Sequence, residues 1–540
     1  MSDQSIHQSP PAVASISRYS GAWTRETAAH LLRRTVFGAR IDEINKAHTD
    51  GLDKTLDLLL GSYQIPAPPV KYRNDYDPTI QLGNTWVNTP YLGDSKYRNL
   101  SFRSWFYNTI LLEEKTSLRD RMVFFWTNYF AIHGTHGDAR SIYKYFKFYQ
   151  EIAMGNLRDI LERITVEPQM LFCLDGTLNH KDNPNENYAR ELMELFTVGK
   201  GELIAKGDYS TFTEKDVVAL ARALTGWVNL EFKFADTNIP IEANFVKENH
   251  DTGDKQLSYH FGNRVIRNAG AEEYKIIIDI LLQSENTSLH FCRRLYRYFV
   301  DYDITPEVES QVIAPLANTL VASNYEIKPV LRKLFSSEHF YSQRLRGSMI
   351  KNPIELLASC LRPFREYQHI GWIDLRYRYE MGNNYSDEVQ GLQLDFQQPP
   401  TISGWKAYYD GPQYHRHWIS PALMQQRYKM VKRVTGRNYS IDGNLLPLDW
   451  RSFLKSLTKP TDVNEVINDF VLIFLPRPLQ EKQFLQLKSW LLQGSSERVW
   501  SNEMSGYFAN PNDSKFQRPI EDRLYDFLES FLGMAEFQLQ

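Results

Sequence analysis

One stretch of the sequence, Asn183-Pro-Asn-Glu-Asn-Tyr-Ala-Arg-Glu-Leu-Met-Glu194, concentrates residue types that can do acid–base chemistry. On a helix that turns by about 100° per residue, Glu186, Arg190 and Glu194 form one i, i+4, i+8 row. A surface ion-pair ladder explains this row without any chemistry. It also makes Arg190 a candidate orienting group and either Glu186 or Glu194 a candidate second carboxylate.

Glu191 is the residue of this stretch that surface ion pairing does not explain. It lies on the shoulder between the charged row and the apolar face, close to Leu195, with Asn187 beside it as a candidate substrate-binding residue. A carboxylate that another helix desolvates there has a raised pKa, as general acids require. We therefore predict Glu191 as the acid–base residue, while two carboxylates one turn apart also suit a hard cation.

The ends of this helix are marked by sequence signals. Asn183 is the predicted N-cap, with Pro184 at the first helical position and Glu186 at the third, which is a capping-box pattern. Gly199 follows the last periodic residue and suits the position after the helix. The pattern predicts a helix over residues 184–198.

A second helix is predicted over residues 214–225. Thr213 is its N-cap, Asp216 stands at the third helical position, and Gly226 closes it. Trp227 follows, and it either packs under the helix end or faces a cleft as a candidate substrate-binding residue.

The segment His250-Asp-Thr-Gly-Asp-Lys255 places a histidine, two acidic residues and a lysine within one turn. Such a group can form an acid–base or phosphate-binding corner, with His250 as a catalytic candidate and Lys255 as a substrate-binding one. The same composition is also typical of a hairpin turn without chemistry.

A Pro- and Gly-rich loop over residues 397–421 contains Trp405, Trp418 and the pair His415 and His417. The two tryptophans are candidates for stacking on a sugar ring, and packing is the alternative. Two histidines at i, i+2 bind a metal only with further ligands, so we predict no metal site and no cofactor.

Composition excludes several classes of protein. The net charge of -3 gives no broad attraction to nucleic acid, and the basic pairs Arg33-Arg34 and Arg293-Arg294 are interpreted as solvated helix faces. The three cysteines form no Cys-x-x-Cys pair. The sequence contains no Gly-x-Ser-x-Gly elbow, no phosphate-binding loop ending in Lys-Ser/Thr and no His-Glu-x-x-His.

Hydrophobic periodicity predicts a mainly α fold, a multi-helical array with long irregular loops and a small antiparallel hairpin around 228–265. In that hairpin Phe232, Phe234 and Phe245 alternate with polar residues. We predict a disordered lead over 1–22, a helical core over 23–345 with a loop excursion over 62–100, and a C-terminal helical lobe over 346–540 packed on that core.

The first residues have no apolar run typical of a secretory signal, and no stretch of the sequence is apolar enough for a membrane span. Arg33-Arg34 is not followed by the apolar stretch of a twin-arginine signal. We expect a protein without a membrane span that is either cytoplasmic or exported together with a partner.

Four segments together resemble the bacterial family known as domain of unknown function 1800. They are His30-Leu-Leu-Arg-Arg-Thr-Val-Phe-Gly38, Pro184–Gly199, Ala221-Arg-Ala-Leu-Thr-Gly-Trp227 and His250–Lys255, with support from Pro399-Pro-x-x-x-Gly-Trp405. Members often have Phe-Trp-His-Asn-His-Phe where this chain has Phe125-Trp-Thr-Asn-Tyr-Phe130. Thr127 and Tyr129 thus replace two histidines, which weakens any metal interpretation.

The resemblance implies a helical fold and no established reaction. It also implies frequent genomic neighbours of a second family, 1501, which resembles sulfatases and phosphatases and often carries an export signal. Two functions follow as expectations: a hydrolase or lyase acting on an extracellular glycan or similar polymer, or a non-catalytic partner or scaffold of such a secreted protein. In the second case the contact surface would be 62–100 and 399–420. A metal-stabilised structural protein is a third possibility.

Overall fold

The computed structural model describes residues 15–90, 95–112, 116–132, 139–229, 241–364, 374–441, 443–510 and 513–540. The fold is mainly helical, as predicted. The helices of the first half are α1 (Arg25–Thr35), α2 (Ile41–Leu59), α3 (Lys96–Leu112), α4 (Arg119–Tyr129), α5 (Ala139–Ile152), α6 (Leu157–Thr165), α7 (Pro168–Cys173), α8 (Glu186–Glu191) and α9 (Glu214–Ala223).

The second half continues the helical array. Its helices are α10 (Glu273–Leu282), α11 (Glu285–Phe299), α12 (Pro306–Val308), α13 (Ala314–Ala322), α14 (Ile327–Phe335), α15 (Pro353–Leu361), α16 (Leu375–Gln390), α17 (Pro421–Val434), α18 (Trp450–Ser456), α19 (Val463–Phe474), α20 (Glu481–Leu492), α21 (Glu497–Ala509) and α22 (Ser514–Leu532). Two π-helical turns, Leu192–Phe196 and Glu309–Ile313, interrupt the α-helical pattern.

The strands are short and pair as antiparallel hairpins. They are β1 (Leu203–Ala205) with β2 (Asp208–Tyr209), β3 (Trp227–Asn229) with β4 (Ala243–Phe245), β5 (Lys255–Gln256) with β6 (Val265–Ile266), and β7 (Ser440–Ile441) with β8 (Asn444–Leu445). The predicted hairpin region around 228–265 is confirmed as antiparallel, although it contains two hairpins. Phe232 and Phe234 lie outside the described residues.

A continuous cluster of buried apolar side chains runs from Ala28 to Phe537 and includes residues from both predicted helical units. Buried polar contacts also cross between these units. Arg362 pairs with Glu43 at 3.0 Å, and the backbone N–H of Trp405 donates to Asn128 Oδ1 at 2.9 Å. These contacts and the apolar cluster join residues 346–540 to the rest of the described chain.

The predicted disorder of residues 1–22 is wrong for the part that is described, residues 15–22. Tyr19 N–H donates to Ser336 O at 2.7 Å, and Glu338 N–H donates to Ser17 O at 2.8 Å. The ring of Tyr19 also lies 4.4 Å from the ring of Tyr341. Strand-like pairing with residues 336–338 therefore orders residues 15–22. Because these partners are distant in sequence, local composition does not predict the pairing.

The excursion over 62–100 is irregular as predicted up to α3, but it is not a loose surface loop. Tyr72 and Trp86 are buried in it, and Trp86 Nε1 donates to Ser101 Oγ on α3 at 3.0 Å. Val70 N–H donates to the hydroxyl of Tyr379 on α16 at 3.0 Å. Aromatic side chains supply the apolar area that a short strand or helix would otherwise bury.

Candidate functional site

Helix α8, which carries the candidate carboxylates, begins two residues later than the sequence predicts. Its N-cap is Asn185, whose side chain accepts a hydrogen bond from Asn187 N–H at 2.9 Å. Asn183 instead closes a turn, donating its N–H to His180 O at 2.9 Å. The predicted capping box is therefore wrong, and Glu186 is the first residue of the helix.

The predicted helix over 184–198 changes its winding at Leu192. Residues Leu192–Phe196 form a π-helical turn, which leaves carbonyl groups that need other donors. Thr197 Oγ1 donates to Leu192 O at 2.6 Å, and the Tyr129 hydroxyl donates to Phe196 O at 3.0 Å. Tyr129 is one of the two residues that stand where the family resemblance leads us to expect histidines.

His290 on α11 bonds to a third carbonyl of the π turn. Its Nε2 lies 3.0 Å from Leu195 O, and because a carbonyl only accepts, Nε2 carries the proton. Burial, with Arg294 nearby, lowers the pKa of His290 to about 3, so the ring is neutral. Gly199, predicted to end the helix, has φ +76°, and a Cβ there would lie 2.8 Å from His290 Nδ1. Glycine is required at this position for both reasons.

Six charged residues form what we call the carboxylate cluster: Glu186, Arg190, Glu191, Glu194, Lys200 and Glu214. The predicted ladder is confirmed, since Arg190 lies 3.1 Å from a Glu186 oxygen and 3.8 Å from a Glu194 oxygen. Its shortest contacts go to Glu214 on α9, at 2.7 and 2.9 Å. Glu194 also pairs with Lys200 at 3.1 Å.

Glu191 differs from the other carboxylates of the cluster. It is partly buried, and within the described part of the chain it makes no hydrogen bond and no ion pair. Burial raises the pKa of Glu191 to about 7, and the negative charge of Glu194 adds to that rise. Arg190 and Lys200 oppose it only in part. The predicted desolvation of this shoulder position is confirmed, and the role of Glu191 stays a proposal.

The chemistry that this arrangement allows is proton transfer near neutral pH. A carboxyl group with a pKa near 7 is present in both protonation states there, so it can donate or accept a proton. Glu194, which pairs with Arg190 and Lys200, is the neighbouring carboxylate. Two carboxyl groups in contrasting environments are the usual basis of paired acid and base roles.

The corner at His250 is organised around a residue that the sequence did not single out, Glu273 at the start of α10. His250 Nε2 lies 2.9 Å from Glu273 Oε1, and Lys255 Nζ lies 2.7 Å from Glu273 Oε2. His250 Nδ1 lies 2.9 Å from Thr225 O. We call His250, Lys255 and Glu273 the buried corner, since their side chains are at most 1% exposed.

The structure connects the carboxylate cluster to the buried corner through backbone and amide contacts. Asn179 accepts from Asn185 N–H at 2.8 Å and donates to Ala221 O at 2.9 Å. Gly226 N–H in turn donates to Asn179 O at 3.2 Å. Among the residues that the structure describes, no hydrogen bond or ion pair joins the two charged groups directly.

The remaining substrate-binding candidates fall into different environments. Asn187 is exposed, and its Nδ2 donates to Asp175 Oδ2 at 3.0 Å. Trp227 is partly buried and packs edge-on against Tyr274 with ring centroids 5.5 Å apart.

Trp405 and Trp418 are buried, at 2% and 5% exposure, which favours packing, the alternative to stacking on a sugar ring. Trp405 stacks on Phe124 inside the core, with centroids 5.4 Å apart. The Pro and Gly content of this loop predicts an irregular backbone. The loop nevertheless buries both tryptophan rings, because removing their large apolar area from water is favourable.

The histidine pair of the same loop has separate partners. His415 Nδ1 lies 3.3 Å from Ile350 N, and burial lowers the pKa of His415 to about 4. His417 lies 3.1 Å from Asp410. Across the described residues, no group of three or more His, Cys, Asp or Glu side chains has the arrangement to hold a metal ion.

Three residues that shape these sites escaped prediction from sequence: Glu214, Glu273 and His290. Each acts on a partner at least 18 residues away, at Arg190, Lys255 and Leu195 respectively. Glu214 directly follows the predicted N-cap Thr213, and this position at the start of a helix is the local sequence feature that could have drawn attention to it.

The fold and the site together define a helical array that carries a cluster of charged residues on one of its helices. The family model described as "Protein of unknown function (DUF1800)" matches residues 30–539. Because this match covers nearly the whole chain, the chain belongs to that family, as the four sequence segments indicate. No curated protein and no solved structure matches the chain. Within the described residues, no helix combines the length and apolar character needed to cross a bilayer.

Proposed function

We propose that this protein is an acid–base enzyme of the hydrolase or lyase class, with Glu191 as the proton donor and acceptor. The observation that carries the proposal is Glu191 itself: partly buried, without a partner among the described residues, and with a pKa raised to about 7. Strongly perturbed carboxyl groups without a structural partner concentrate at active sites.

Glu194 is the second carboxylate in this proposal, and Arg190 and Lys200 hold it. The π turn supports the arrangement, because it is the segment on which Glu194 stands and three side chains satisfy its carbonyls. Paired carboxyl groups are the machinery of most glycoside hydrolases, so a glycan is the substrate class to test first.

The experiment is an activity screen of the purified chain with aryl glycosides, aryl esters and uronate polysaccharides. We expect turnover with an ionisation near pH 7 in the pH profile, and a fall in kcat of about 10²–10⁴-fold in Glu191→Gln. Glu202→Gln is the matched control, because Glu202 is exposed and outside the carboxylate cluster. Equal activity of Glu191→Gln and wild type would contradict the proposal. Inactivity of the wild type throughout the panel would favour the non-catalytic partner role instead.

A further inference from the structure

Four arginines line a pocket of about 380 Å³ that is built from elements outside the carboxylate cluster. The residues are Arg25 and Arg33 on α1, Arg346 in the segment before α15, and Arg477 after α19. We call it the arginine pocket. The sequence interpretation of Arg33-Arg34 as a solvated helix face is wrong, since Arg33 is partly buried and Arg34 is 1% exposed.

Arg346 is a buried arginine of the pocket. It is 6% exposed, and its guanidinium group donates no hydrogen bond to any described residue. Its Nε is fully buried without a partner. Burial lowers the pKa of Arg346, and the nearby Tyr19 and Glu26 offset that fall only in part. A buried N–H donor without an acceptor is itself unfavourable.

Arg33 adds a second, partly satisfied cation beside it. One Arg33 Nη donates to Leu472 O on α19, while its Nε is buried without a partner. Burial first, and then the positive charge of Arg346, lower the pKa of Arg33 to about 9. Both arginines line the pocket, and their positive charges repel each other.

The pocket contains more positive than negative charge. Arg25 is neutralised by Asp469 at 2.8 Å. Among the described residues, the Arg477 side chain bonds only to the carbonyl oxygens of Arg346 and Arg344, at 2.5 and 3.2 Å. In the described part of the chain, no carboxylate lies within ion-pair distance of Arg33, Arg346 or Arg477. Glu26 and Glu465 also line the pocket, so its four arginines exceed its two lining carboxylates.

We propose that the arginine pocket binds an oxyanion group, either a phosphate, a sulfate or a carboxylate, between Arg33 and Arg346. The planar fork of a guanidinium group offers paired N–H donors that match such oxygens. A bound oxyanion would accept from Nη groups of Arg33 and Arg346, which are not among the buried, unpartnered atoms of the two side chains, and would neutralise the repulsion between the two arginines. This site is independent of Glu191 and goes beyond the proposed acid–base function.

The test uses the full chain and measures thermal unfolding together with titration calorimetry. The probes are sodium phosphate, sodium sulfate and sodium citrate, each against sodium chloride at matched ionic strength. We expect at least one oxyanion to raise Tm in a saturable way that chloride does not reproduce. We expect its affinity to fall at least about tenfold in Arg346→Gln and in Arg33→Gln, because each removes charged hydrogen-bond donors.

Arg332→Gln is the matched control, since Arg332 is a partly exposed arginine that pairs with Asp57 and does not line the arginine pocket. It should bind as the wild type does. Without added oxyanion, Arg346→Gln should be at least as stable as the wild type, because it removes an unpaired buried charge. If that variant fails to fold, the exposed Arg477→Gln takes its place and should also weaken binding.

The three probes identify the ligand class by their order of affinity. Preference for phosphate or sulfate assigns a phosphoryl or sulfuryl group, and preference for citrate assigns a carboxylate. A shift in Tm that chloride reproduces, or one that Arg346→Gln and Arg33→Gln leave intact, would overturn the proposal.

Discussion

The surroundings of Glu191 and Glu273 remove both carboxylates from solvent, but the two differ in the hydrogen-bond donors that their neighbours supply. Glu273 is fully buried and accepts hydrogen bonds from His250, Lys255 and the backbone N–H of Ala269, the last at 3.1 Å. Glu191 is only partly buried, yet it has no partner among the described residues and its pKa rises to about 7.

The comparison shows that the number of partners decides what burial does to a carboxylate. Three donors offset the desolvation of Glu273, and their contacts link α10 to the β5 hairpin. Desolvation without donors leaves Glu191 ready to exchange a proton. The buried corner thus has the contacts of a structural network, whereas the side chain of Glu191 has no such contacts among the described residues.

The largest expected effect comes from breaking the buried corner. Glu273→Ala leaves Lys255 and His250 buried without their shared acceptor, so we expect a loss of about 3–5 kcal/mol in the free energy of unfolding. Urea unfolding followed by circular dichroism measures it. Glu272→Ala is the control, because the neighbouring Glu272 side chain is 63% exposed and pairs only with Lys275. Its cost should be below about 1 kcal/mol, and an equal loss in the two variants would contradict the structural role of Glu273.

A smaller effect is expected from the ionisation of Glu191. Its pKa rises from an ordinary value of 4.5 to about 7 on folding, so the folded state holds a proton that the unfolded state releases between these pH values. Stability therefore falls as pH rises through this window, and Glu191→Gln removes the fall. Because Glu191 is partly exposed, screening limits the effect to about 1 kcal/mol.

Urea midpoints at pH 5 and pH 8 measure this difference. The urea midpoint of Glu191→Gln minus that of the wild type should be larger at pH 8 than at pH 5. A pH dependence that is the same in both proteins would show that the carboxyl group of Glu191 has an ordinary pKa.

The contrast also explains which parts of the molecule the sequence predicts. The helix that carries Glu191, the ladder through Arg190 and the shoulder position itself follow from periodicity, because they depend on neighbours within about two turns. The mainly α fold follows from the same patterns summed along the chain.

Features that depend on distant partners do not follow from local pattern. The π turn is held by Tyr129 and His290, which come from two other helices. The N-cap is Asn185 and not Asn183, because the Asn185 N–H donates to Asn179 Oδ1 and the Asn183 N–H donates to His180 O. The burial of Trp405 depends on Phe124, nearly three hundred residues earlier. A one-dimensional pattern contains no information on these encounters.

The smallest effects come from altering the charges around Glu191 without touching it. Glu194→Gln removes the negative neighbour that raises the pKa of Glu191, so that pKa should fall. Lys200→Met removes a positive charge that lowers it, so that pKa should rise. Carboxyl ¹³C NMR of glutamate-labelled protein measures both shifts, with the Glu191 resonance assigned as the one missing from Glu191→Gln.

Lys206→Met is the control for this last pair, because Lys206 is exposed and is not among the charges that shift Glu191. Opposite shifts in Glu194→Gln and Lys200→Met require that Glu191 senses the carboxylate cluster directly. Shifts of the same sign would mean that the variants act by opening the π turn to solvent. Burial alone, and not the paired arrangement with Glu194, would then set the proton affinity of Glu191.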